Sequence, residues 1–560
     1  MLVFYLILTI LSLPEWFIFL YYTSIYLNVY KFSDKDTNKI LTLGIIVILF
    51  SIRSLYLVFY VLALPDNVNL NFQLIFYIQR NIFYMLIVWW YIVICIPSLF
   101  SLYHLIFNNI GDIKEYANTK KTYKKIIYIL PIYNEDINLL KKGLDSIFKL
   151  DYPMELLDIH ISFDDDNITE LFLQVLNYFN IENNPSVSHF SFKMNNSQIN
   201  IHRFPHGGKK HTQMNTWDII NNNYKDIDTS DFLILLSDSD NIIKPNALHN
   251  FTLYLHKNPS KLAYCGYMSC ITSDNSFNLV TALQDTEYIS CEINRFFELQ
   301  MGTVNCLPGA FTIMRYPAFK KHSQEYFEYS EQKNITHYHQ KTLGEDRYLT
   351  HLFHKTFPRN SIGFCPTARC STDPPNTIIK FIKQRRRWLL GSISNEAYMI
   401  STPIIWKKVP ILMIYKIIQT AWRSTTFSQI LVASFGIITT INSSDNEKTI
   451  FMLSVLIPLS ITWFTSMCFA YKLQHYKVFV LWPFMIIFYT IIYIFVDYYT
   501  IFTWNKKTWG GDRINSNIKC EEPICEEQIC EEPMCEEPMC EEQICEEPMC
   551  EESICEEIEV

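Results

Sequence analysis

The chain lacks the sequence features by which nucleic-acid-binding proteins are recognised. It contains no concentrated stripe of basic residues and no zinc-finger or zinc-knuckle spacing. Apolar residues, in contrast, are abundant, since 49% of its 560 residues are hydrophobic and 15% are aromatic. This content excludes a disordered or fibrous chain and argues against an ordinary soluble enzyme. We therefore expect a membrane protein that binds no nucleic acid.

Paired cysteines are missing from the body of the chain. The eight cysteines before residue 520 form no C-x-x-C pair, which is typical of reduced and mostly buried thiols. Eight further cysteines recur every five residues in a C-E-E-P/Q/S-M/I repeat from Cys520 to Cys555. Residues 520–560 hold 17 glutamates and no lysine, arginine or aspartate, so residues 1–519 carry a net charge of +8. We expect this tail to be disordered and solvated, with metal binding or oxidative cross-linking by its thiols as the alternative.

Apolar stretches near both ends of the chain are long enough to cross a bilayer as helices. They lie at about 1–30, 40–64 and 81–107, and again at about 423–441, 450–472 and 477–503. Lysines between the first two stretches and after residue 110 put the intervening domain in the cytosol by the positive-inside rule. Three C-terminal crossings would place the basic segment 506–519 outside, so we expect one of them to be re-entrant, interfacial or miscounted.

The chain is predicted to consist of five parts. In order these are transmembrane helices with about three spans (1–110), a cytosolic domain (120–395), interfacial helices (396–422), further transmembrane helices (423–519) and the acidic tail (520–560). The cytosolic domain has no span-length apolar run, and its short apolar segments alternate with polar helical stretches. That alternation predicts an α/β fold with a mainly parallel sheet.

Three predicted strands of this domain each run into acidic residues. They are Ile126–Leu130, Leu157–Phe163 and Phe232–Leu236, followed by P-I-Y-N-E-D (131–136), D-D-D-N (164–167) and S-D-S-D (237–240). Because ligands of open α/β sheets bind beyond the carboxyl ends of the strands, we expect the three clusters to face one crevice. So many carboxylates repel one another unless a cation lies among them, which predicts a hard divalent ion carrying a phosphorylated ligand. Any single acidic strand end could instead be a helix cap.

Two basic motifs could contact the phosphates of such a ligand. The first is the turn G-G-K-K-H-T-Q (207–213), which contains Lys209 but lacks the spacing of a P-loop. The second is Q-R-R-R-W, where a helix would bring Gln384 and Trp388 to one face beside the arginines. Arginine forks match phosphate oxygens, and an indole face can cover a sugar ring. Alternatively, the first motif is a basic surface turn and the second a snorkelling anchor beside the membrane.

The order of the motifs resembles that of the processive inverting glycosyltransferases of membranes, and within them the chitin synthases most. The series is P-x-Y-N-E-D, an acidic strand end, D-x-D, Q-x-x-E-Y (284–288), C-L-P-G-A-F (306–311), G-E-D-R (344–347), T-D-P-P-N (372–376) and Q-R-R-R-W (384–388). The resemblance covers about 125–395 closely and implies a GT-A-like domain for nucleotide sugars, inserted between helical transmembrane bundles. The W-G-G-D-R segment (509–513) has Gly511 where the family usually has threonine, which blurs the choice of polymer.

The resemblance implies a role for each matched residue. Asp346 would be the general base that deprotonates the 4-hydroxyl of the acceptor sugar, and Asp238 and Asp240 would bind Mg²⁺ or Mn²⁺ on the UDP diphosphate. Asp165 or Asp166 would hold the uridine. The remaining substrate-binding residues would be Pro131, Tyr133, Glu135, Lys209, Glu287, Gly309, Gln384, Arg385, Arg387 and Trp388. Within this set, the glutamine and the two arginines would contact the diphosphate, the tryptophan would stack on the acceptor end, and the glycine's loop would form the mouth of a polymer channel.

The implied activity is that of a chitin synthase, which transfers N-acetylglucosamine processively from UDP-GlcNAc to a growing β-1,4-linked chain. The transfer would invert the donor linkage, and the product would leave through the enzyme's own transmembrane channel. The partners would be UDP-GlcNAc, the growing chitin chain and the lipid bilayer, in the plasma membrane, and assembly of several copies is left open. Hyaluronan or another β-glycan is the nearest alternative product. A lipid-linked monosaccharide synthase, or a non-catalytic transporter or receptor with a degenerate domain, is a more distant alternative.

Overall fold

The structure is a computed structural model that describes residues 2–33, 35–62, 91–107, 123–181, 188–271, 276–328, 334–423 and 444–507. Several predicted features lie outside the described residues. They are residues 81–90 of the third apolar stretch, the apolar stretch that follows Arg423, the W-G-G-D-R segment and the acidic tail. What the sequence predicts for these features stays a prediction.

A nine-stranded sheet in the order β3-β4-β2-β1-β5-β8-β7-β9-β6 forms the centre of the α/β part. Its strands are β1 Ile126–Ile132, β2 Leu157–Asp164, β3 His189–Met194, β4 Ser197–Phe204, β5 Leu233–Ser237, β6 Ile242–Ile243, β7 Ala263–Cys270, β8 Phe311–Arg315 and β9 Ile362–Thr372. β4, β2, β1 and β5 are parallel neighbours, as are β7 and β9. β1, β2 and β5 are buried along their whole length. β1 and β5 have the near-continuous apolar sequences that predict this, whereas β2 alternates and also buries its polar Asp158, His160 and Ser162. The sheet is therefore mixed and mostly parallel.

The antiparallel strand β8 lies in the middle of the sheet, which the sequence pattern did not predict. Its first residue, Phe311, is opposite Ser237, the last residue of β5, and the two strands then run in opposite directions. The loop that precedes β8 is thereby brought to the carboxyl end of β5. There the Asp238 N–H donates to the Ala310 carbonyl at 3.3 Å, and the side-chain amide of Asn241 donates to the same oxygen. The antiparallel strand thus delivers the C-L-P-G-A-F loop to the D-x-D motif.

Helices pack on both faces of the sheet and continue towards both ends of the chain. The described helices are α1 Leu2–Phe32, α2 Asp36–Leu62, α3 Ile96–Phe107, α4 Ile137–Phe148, α5 Glu170–Tyr178, α6 Lys209–Asn223, α7 Ala247–Lys257, α8 Leu279–Gln300, α9 Tyr316–Phe327, α10 Ile335–Tyr338, α11 Glu345–Thr356, α12 Ile378–Ile400, α13 Pro403–Lys408, α14 Pro410–Arg423, α15 Asp445–Leu473 and α16 Val478–Phe502. Ile127 and Ile129 of β1 pack in one core with α6 and α8, whereas Tyr128 and Leu130 pack in another with α4 and α7. This alternation is the period-2 pattern of a strand covered on both sides.

Among the described helices, two are long and apolar enough to cross a membrane. They are Lys448–Leu473 within α15, with mean hydropathy 1.8, and α16, with mean hydropathy 2.3. They coincide with the predicted stretches at 450–472 and 477–503. The large exposed side chains of α16 recur at helical spacing, at Val480, Phe484, Ile487, Ile491 and Phe495. A continuous exposed apolar stripe of this kind fits contact with lipid better than contact with water.

The helix α12 crosses the predicted domain boundary at 395/396. It carries Q-R-R-R-W near its start and runs on to Ile400 because its apolar positions keep helical spacing. Leu389, Ile393 and Ala397 pack in one core with residues of α1. The motif and the contact with the first apolar helix therefore belong to a single rigid element. α13 and α14 follow within the predicted interfacial segment, whose position at the membrane surface stays a prediction.

Candidate active site

The acidic ends of β2, β1 and β5 meet at one edge of the sheet. The three strands are adjacent and parallel, so their carboxyl ends lie side by side. Glu135, which follows β1, accepts a hydrogen bond from the Ser239 hydroxyl at 2.8 Å and so joins the first and third acidic clusters. The predicted convergence of the strand ends is confirmed. Pro131, the first residue of the P-I-Y-N-E-D motif, is buried within β1 opposite Ser162, like the rest of that strand.

The three consecutive aspartates that begin with the last residue of β2 have different partners. Asp164 accepts the backbone N–H groups of Gly207 at 2.8 Å and of Gly208, and therefore holds the glycine turn. Asp165 accepts from the Thr169 hydroxyl at 2.9 Å, and burial raises its pKa. Asp166 is exposed at the mouth of the site. The two aspartates predicted to hold uridine thus lie next to one another, with one buried and one exposed.

Beside these aspartates, the predicted Tyr133 pairs with a ring that the sequence did not point to, that of His206. Tyr133 and His206 are stacked with ring centroids 4.7 Å apart and an interplanar angle of 21°. His206 is also 3.0 Å from a carboxylate oxygen of Asp164, and its backbone N–H donates to Asp166 at 2.9 Å. The pair connects the ends of β1, β2 and β4. The only sequence signal for His206 is its place directly before the two glycines of the turn.

The lysine of the glycine turn is the first residue of α6 and reaches the D-x-D motif. Gly208, which precedes it, has φ +85°, a backbone conformation that favours glycine. Lys209 Nζ lies 2.5 Å from Asp238 Oδ1 and 3.6 Å from Glu345 Oε1, with only 15% of its side chain exposed. Burial opposes the ammonium form, but the carboxylates of Asp238 and Glu345 outweigh it and raise the pKa of Lys209. The turn, the third strand end and the G-E-D-R motif therefore share one charged cluster.

The predicted general base lies in the same cluster and is held by the C-L-P-G-A-F loop. The Cys306 thiol donates to Asp346 Oδ2 at 3.3 Å, while the Arg347 backbone N–H donates to Asp346 Oδ1 at 2.7 Å. Burial raises the pKa of Cys306, so the thiol keeps its proton as a donor. The backbone of Gly309 faces the same space, since a Cβ built there would lie 3.5 Å from Lys209 Nζ and 3.7 Å from Asp346 Cβ. Cys306 lies within the C-L-P-G-A-F motif, but the sequence predicted no role for its thiol.

The three arginines of Q-R-R-R-W point to three different partners, because successive helical residues are about 100° apart around the axis. Arg385 forms a two-pronged ion pair with Glu287 at 2.9 and 2.5 Å, and Tyr489 of α16 donates to the same carboxylate. Arg386 donates to Thr503 Oγ1 at 2.6 Å and to the Lys506 carbonyl at 2.9 Å, so it caps the end of α16. Arg387 acts electrostatically on both Lys209 and Glu345.

Gln384 and Trp388 flank the arginines on α12. The Gln384 side-chain oxygen is buried, and no described residue donates a hydrogen bond to it. Trp388 is half-buried, and the Arg385 guanidinium lies 4.3 Å from the centre of its ring system. A buried acceptor without a protein donor is costly unless a ligand hydroxyl or water satisfies it. Gln384 therefore offers an unsatisfied buried oxygen, and Trp388 a half-buried aromatic ring in contact with Arg385.

The carboxylates of D-x-D fit a divalent metal only in part. No group of three or more His, Cys, Asp or Glu side chains that could hold a metal occurs within the described residues. Asp240 accepts a hydrogen bond from the Thr372 hydroxyl at 2.7 Å, and Asp238 is bonded to Lys209. Two carboxylates are the hard oxygen ligands that Mg²⁺ and Mn²⁺ prefer. These two residues suit such an ion if phosphate oxygens and water complete its coordination.

Comparison with known proteins identifies the family. A family model described as chitin synthase matches residues 213–532. Chitin synthase 7 of Verticillium dahliae is 34% identical over 437 residues, which are 75% of this chain and 61% of the relative. Chitin synthase VI of Metarhizium acridum is 32% identical over 441 residues, which are 76% of this chain and 68% of the relative.

The chain belongs to the chitin synthase family. It spans about three fifths of the length of the Verticillium relative. A solved mannosyltransferase from Pyrobaculum calidifontis, in complex with GDP-Man and Mn²⁺, is also similar, with 14% identity and a TM-score of 0.38 over 69% of this chain and 99% of the other.

Proposed function

We propose that this chain transfers N-acetylglucosamine from UDP-GlcNAc to the non-reducing 4-hydroxyl of a growing β-1,4-linked chain, and so makes chitin. The observation that carries the proposal is the meeting of Lys209, Asp238, Glu345 and Asp346 beside the backbone of Gly309. These residues come from three motifs spread between positions 209 and 346, and together they supply positive charge, a metal ligand and a base. Family membership supports UDP-GlcNAc as the donor and chitin as the product.

The donor diphosphate would lie between the D-x-D motif and the basic side chains. Asp238 and Asp240 would hold Mg²⁺ or Mn²⁺, which when bound offsets the negative charge that develops on the departing UDP. Lys209 and Arg387 add fixed positive charge on the same side of the site. Charge that is already in place costs no reorganisation during the reaction, and this stabilises the transition state. Asp165 or Asp166, beside the stacked rings of Tyr133 and His206, would hold the uridine.

Asp346 would remove the proton from the attacking 4-hydroxyl of the acceptor. A well-placed base of this kind contributes about 10² to 10⁴ in rate. The hydrogen bonds from Cys306 and from the Arg347 backbone fix the carboxylate in one orientation. Trp388 would stack on the terminal sugar of the chain, as the resemblance implies. Gln384 was predicted to contact the diphosphate, but its buried oxygen is an acceptor and suits a hydroxyl of that sugar better. Attack on the side opposite the departing UDP inverts the linkage from α to β.

The exposed apolar stripe of α16 supports a membrane location. We propose a multi-pass protein of the plasma membrane with its catalytic domain in the cytosol, in which the terminal helices line a path for the polymer. A polysaccharide cannot cross hydrocarbon unaided, because its hydroxyl groups would lose their hydrogen bonds. α12 connects the candidate site to these helices, because it carries Q-R-R-R-W and its Arg386 caps the end of α16.

The product of purified membranes tests the proposal. Membranes containing the protein are incubated with labelled UDP-GlcNAc and Mg²⁺ or Mn²⁺, alone or with UDP-glucuronate. We expect insoluble label that chitinase releases, formed from UDP-GlcNAc alone. A requirement for UDP-glucuronate would replace chitin by hyaluronan, and absence of both polymer and UDP release would contradict a catalytic function.

A further inference from the structure

Lys209 occupies the position at the D-x-D motif where a cation is expected. Its ammonium lies 2.5 Å from Asp238 Oδ1, the distance of a strong charge-assisted hydrogen bond. On its other side Glu345 Oε1 is 3.6 Å away, and the backbone of Gly309 closes the space between them. Lys209 is largely buried, so solvent screens this contact weakly. Asp238, the first predicted metal ligand, is thus neutralised by the protein's own side chain.

An ammonium and a divalent ion cannot both bind closely to this carboxylate without strong repulsion. A metal coordinated by Asp238 would lie only a few ångströms from Lys209 Nζ in its present position. The two cations must therefore compete, unless an added anion separates them. The diphosphate of the donor is such an anion, because its oxygens can accept from the ammonium and also bind the metal.

We propose that Lys209 is a resident counter-cation of the metal site: it holds Asp238 in the donor-free protein and passes to the diphosphate when metal and nucleotide enter together. The inference rests on the proposed function and concerns the order in which charges are exchanged there. The metal brings two positive charges and the diphosphate of a nucleotide sugar brings two negative ones. Joint binding keeps the cluster's net charge, whereas metal alone adds charge beside a lysine already in place. Glu345 gives the displaced ammonium a partner within the same pocket.

A lysine that only contacts phosphate would behave differently. Its removal would weaken nucleotide binding and leave metal binding unchanged in the absence of nucleotide. A resident counter-cation has opposite effects on the two ligands. Its removal strengthens metal binding without nucleotide, because Asp238 is released, and weakens nucleotide binding, because the phosphate contact is lost. Misfolding cannot produce this pair of effects, since it weakens both.

The test is a Mn²⁺ titration of the full-length protein in detergent, followed by electron paramagnetic resonance of the free ion. Wild type is compared with Lys209→Met, which keeps most of the side-chain length without the charge. Lys355→Met is the matched control, because it removes a lysine whose only ion pair given by the structure is a half-exposed one with Glu325 at 3.3 Å. Without nucleotide, we expect Lys209→Met to bind Mn²⁺ at least about tenfold more tightly than wild type, and Lys355→Met to match wild type.

The same titration is repeated with saturating UDP. We expect UDP to tighten Mn²⁺ binding by wild type at least about tenfold, and to do so much less in Lys209→Met. Nucleotide-free Mn²⁺ binding by Lys209→Met that equals or falls below wild type would overturn the proposal. If that variant does not fold, the wild-type titration decides, since a Mn²⁺ affinity that UDP leaves unchanged would also overturn it. If the protein makes chitin but Lys209→Met binds Mn²⁺ no more tightly than wild type, only this inference is wrong and the proposed function stands.

Discussion

Two halves of the candidate site differ in how the protein holds their charged groups. In the strand-end half, Asp164 is fixed by backbone N–H groups of the adjacent glycine turn, and Lys209 is delivered directly to Asp238. In the helix half, Arg385 pairs with Glu287 of α8, and Arg386 donates to groups at the end of α16. Arg387 instead acts electrostatically on Lys209 of the charged cluster. The difference teaches that strand ends gather their polar residues at one edge, whereas a helix distributes neighbouring residues around its axis.

The two halves meet at Asp346, where we expect the largest effect of any substitution. Asp346→Asn keeps the size of the side chain but cannot take a proton, so UDP release with an acceptor present should fall by about 10² to 10⁴. Radiolabelled UDP-GlcNAc turnover in membranes measures the loss. The control is Asp145→Asn, which changes an exposed aspartate of α4 that accepts from Tyr178. Equal activity of wild type and Asp346→Asn would remove Asp346 from the mechanism and leave the two halves without a shared task.

Neighbouring arginines of the helix half should separate catalysis from stability. Arg387→Met removes positive charge from the cluster, so UDP release should fall about a hundredfold while the melting temperature stays near wild type. Arg386→Met leaves the carbonyls at the end of α16 without their donor, and its apparent melting temperature should fall by about 5 °C. Differential scanning fluorimetry and UDP release are measured on both variants. If both variants lose melting temperature and UDP release to the same extent, the two arginines do not have separate roles in catalysis and stability.

The thiol that orients the base should have a smaller effect. Cys306→Ala removes a hydrogen bond that holds the Asp346 carboxylate in place, so the turnover of labelled UDP-GlcNAc should fall several-fold. Cys306→Ser keeps a donor and should stay close to wild type. Equal turnover by the alanine and serine variants would show that the hydrogen bond at 3.3 Å does not act on the base.

The smallest effect is expected at Gly309, although the sequence places it in the site. A Cβ there would meet Lys209, Glu345 and Asp346 at 3.5 to 3.7 Å, which is ordinary van der Waals contact. Gly309→Ala should therefore change turnover by less than about threefold. Gly344→Ala is the contrasting variant, because its Cβ would lie 2.6 Å from Asn395 Nδ2 and 2.8 Å from Gly391 Cα where α12 passes. It should reduce both the melting temperature and the turnover, and a milder effect there than at Gly309 would contradict this packing.

The strand-end half could be predicted from the sequence because its signals are local. Each buried apolar run is followed at once by its acidic residues, and parallel neighbours bring such ends together without further information. In the helix half, the sequence could not predict which arginine would reach the charged cluster. The partner of Arg386 lies more than a hundred residues away at Thr503, and no local pattern states which arginine faces it. The same holds for the antiparallel entry of β8, which brings Gly309 and Cys306 to the site through a long-range pairing.

The most direct test of a single shared site is a cryo-electron microscopy map of the protein with UDP and Mn²⁺ bound. We expect the ion in contact with Asp238, the diphosphate between Lys209 and Arg387, and the Asp346 carboxylate facing the place of the missing sugar. Nucleotide density at another position, or density that Asp238 and Arg387 do not both approach, would contradict the account.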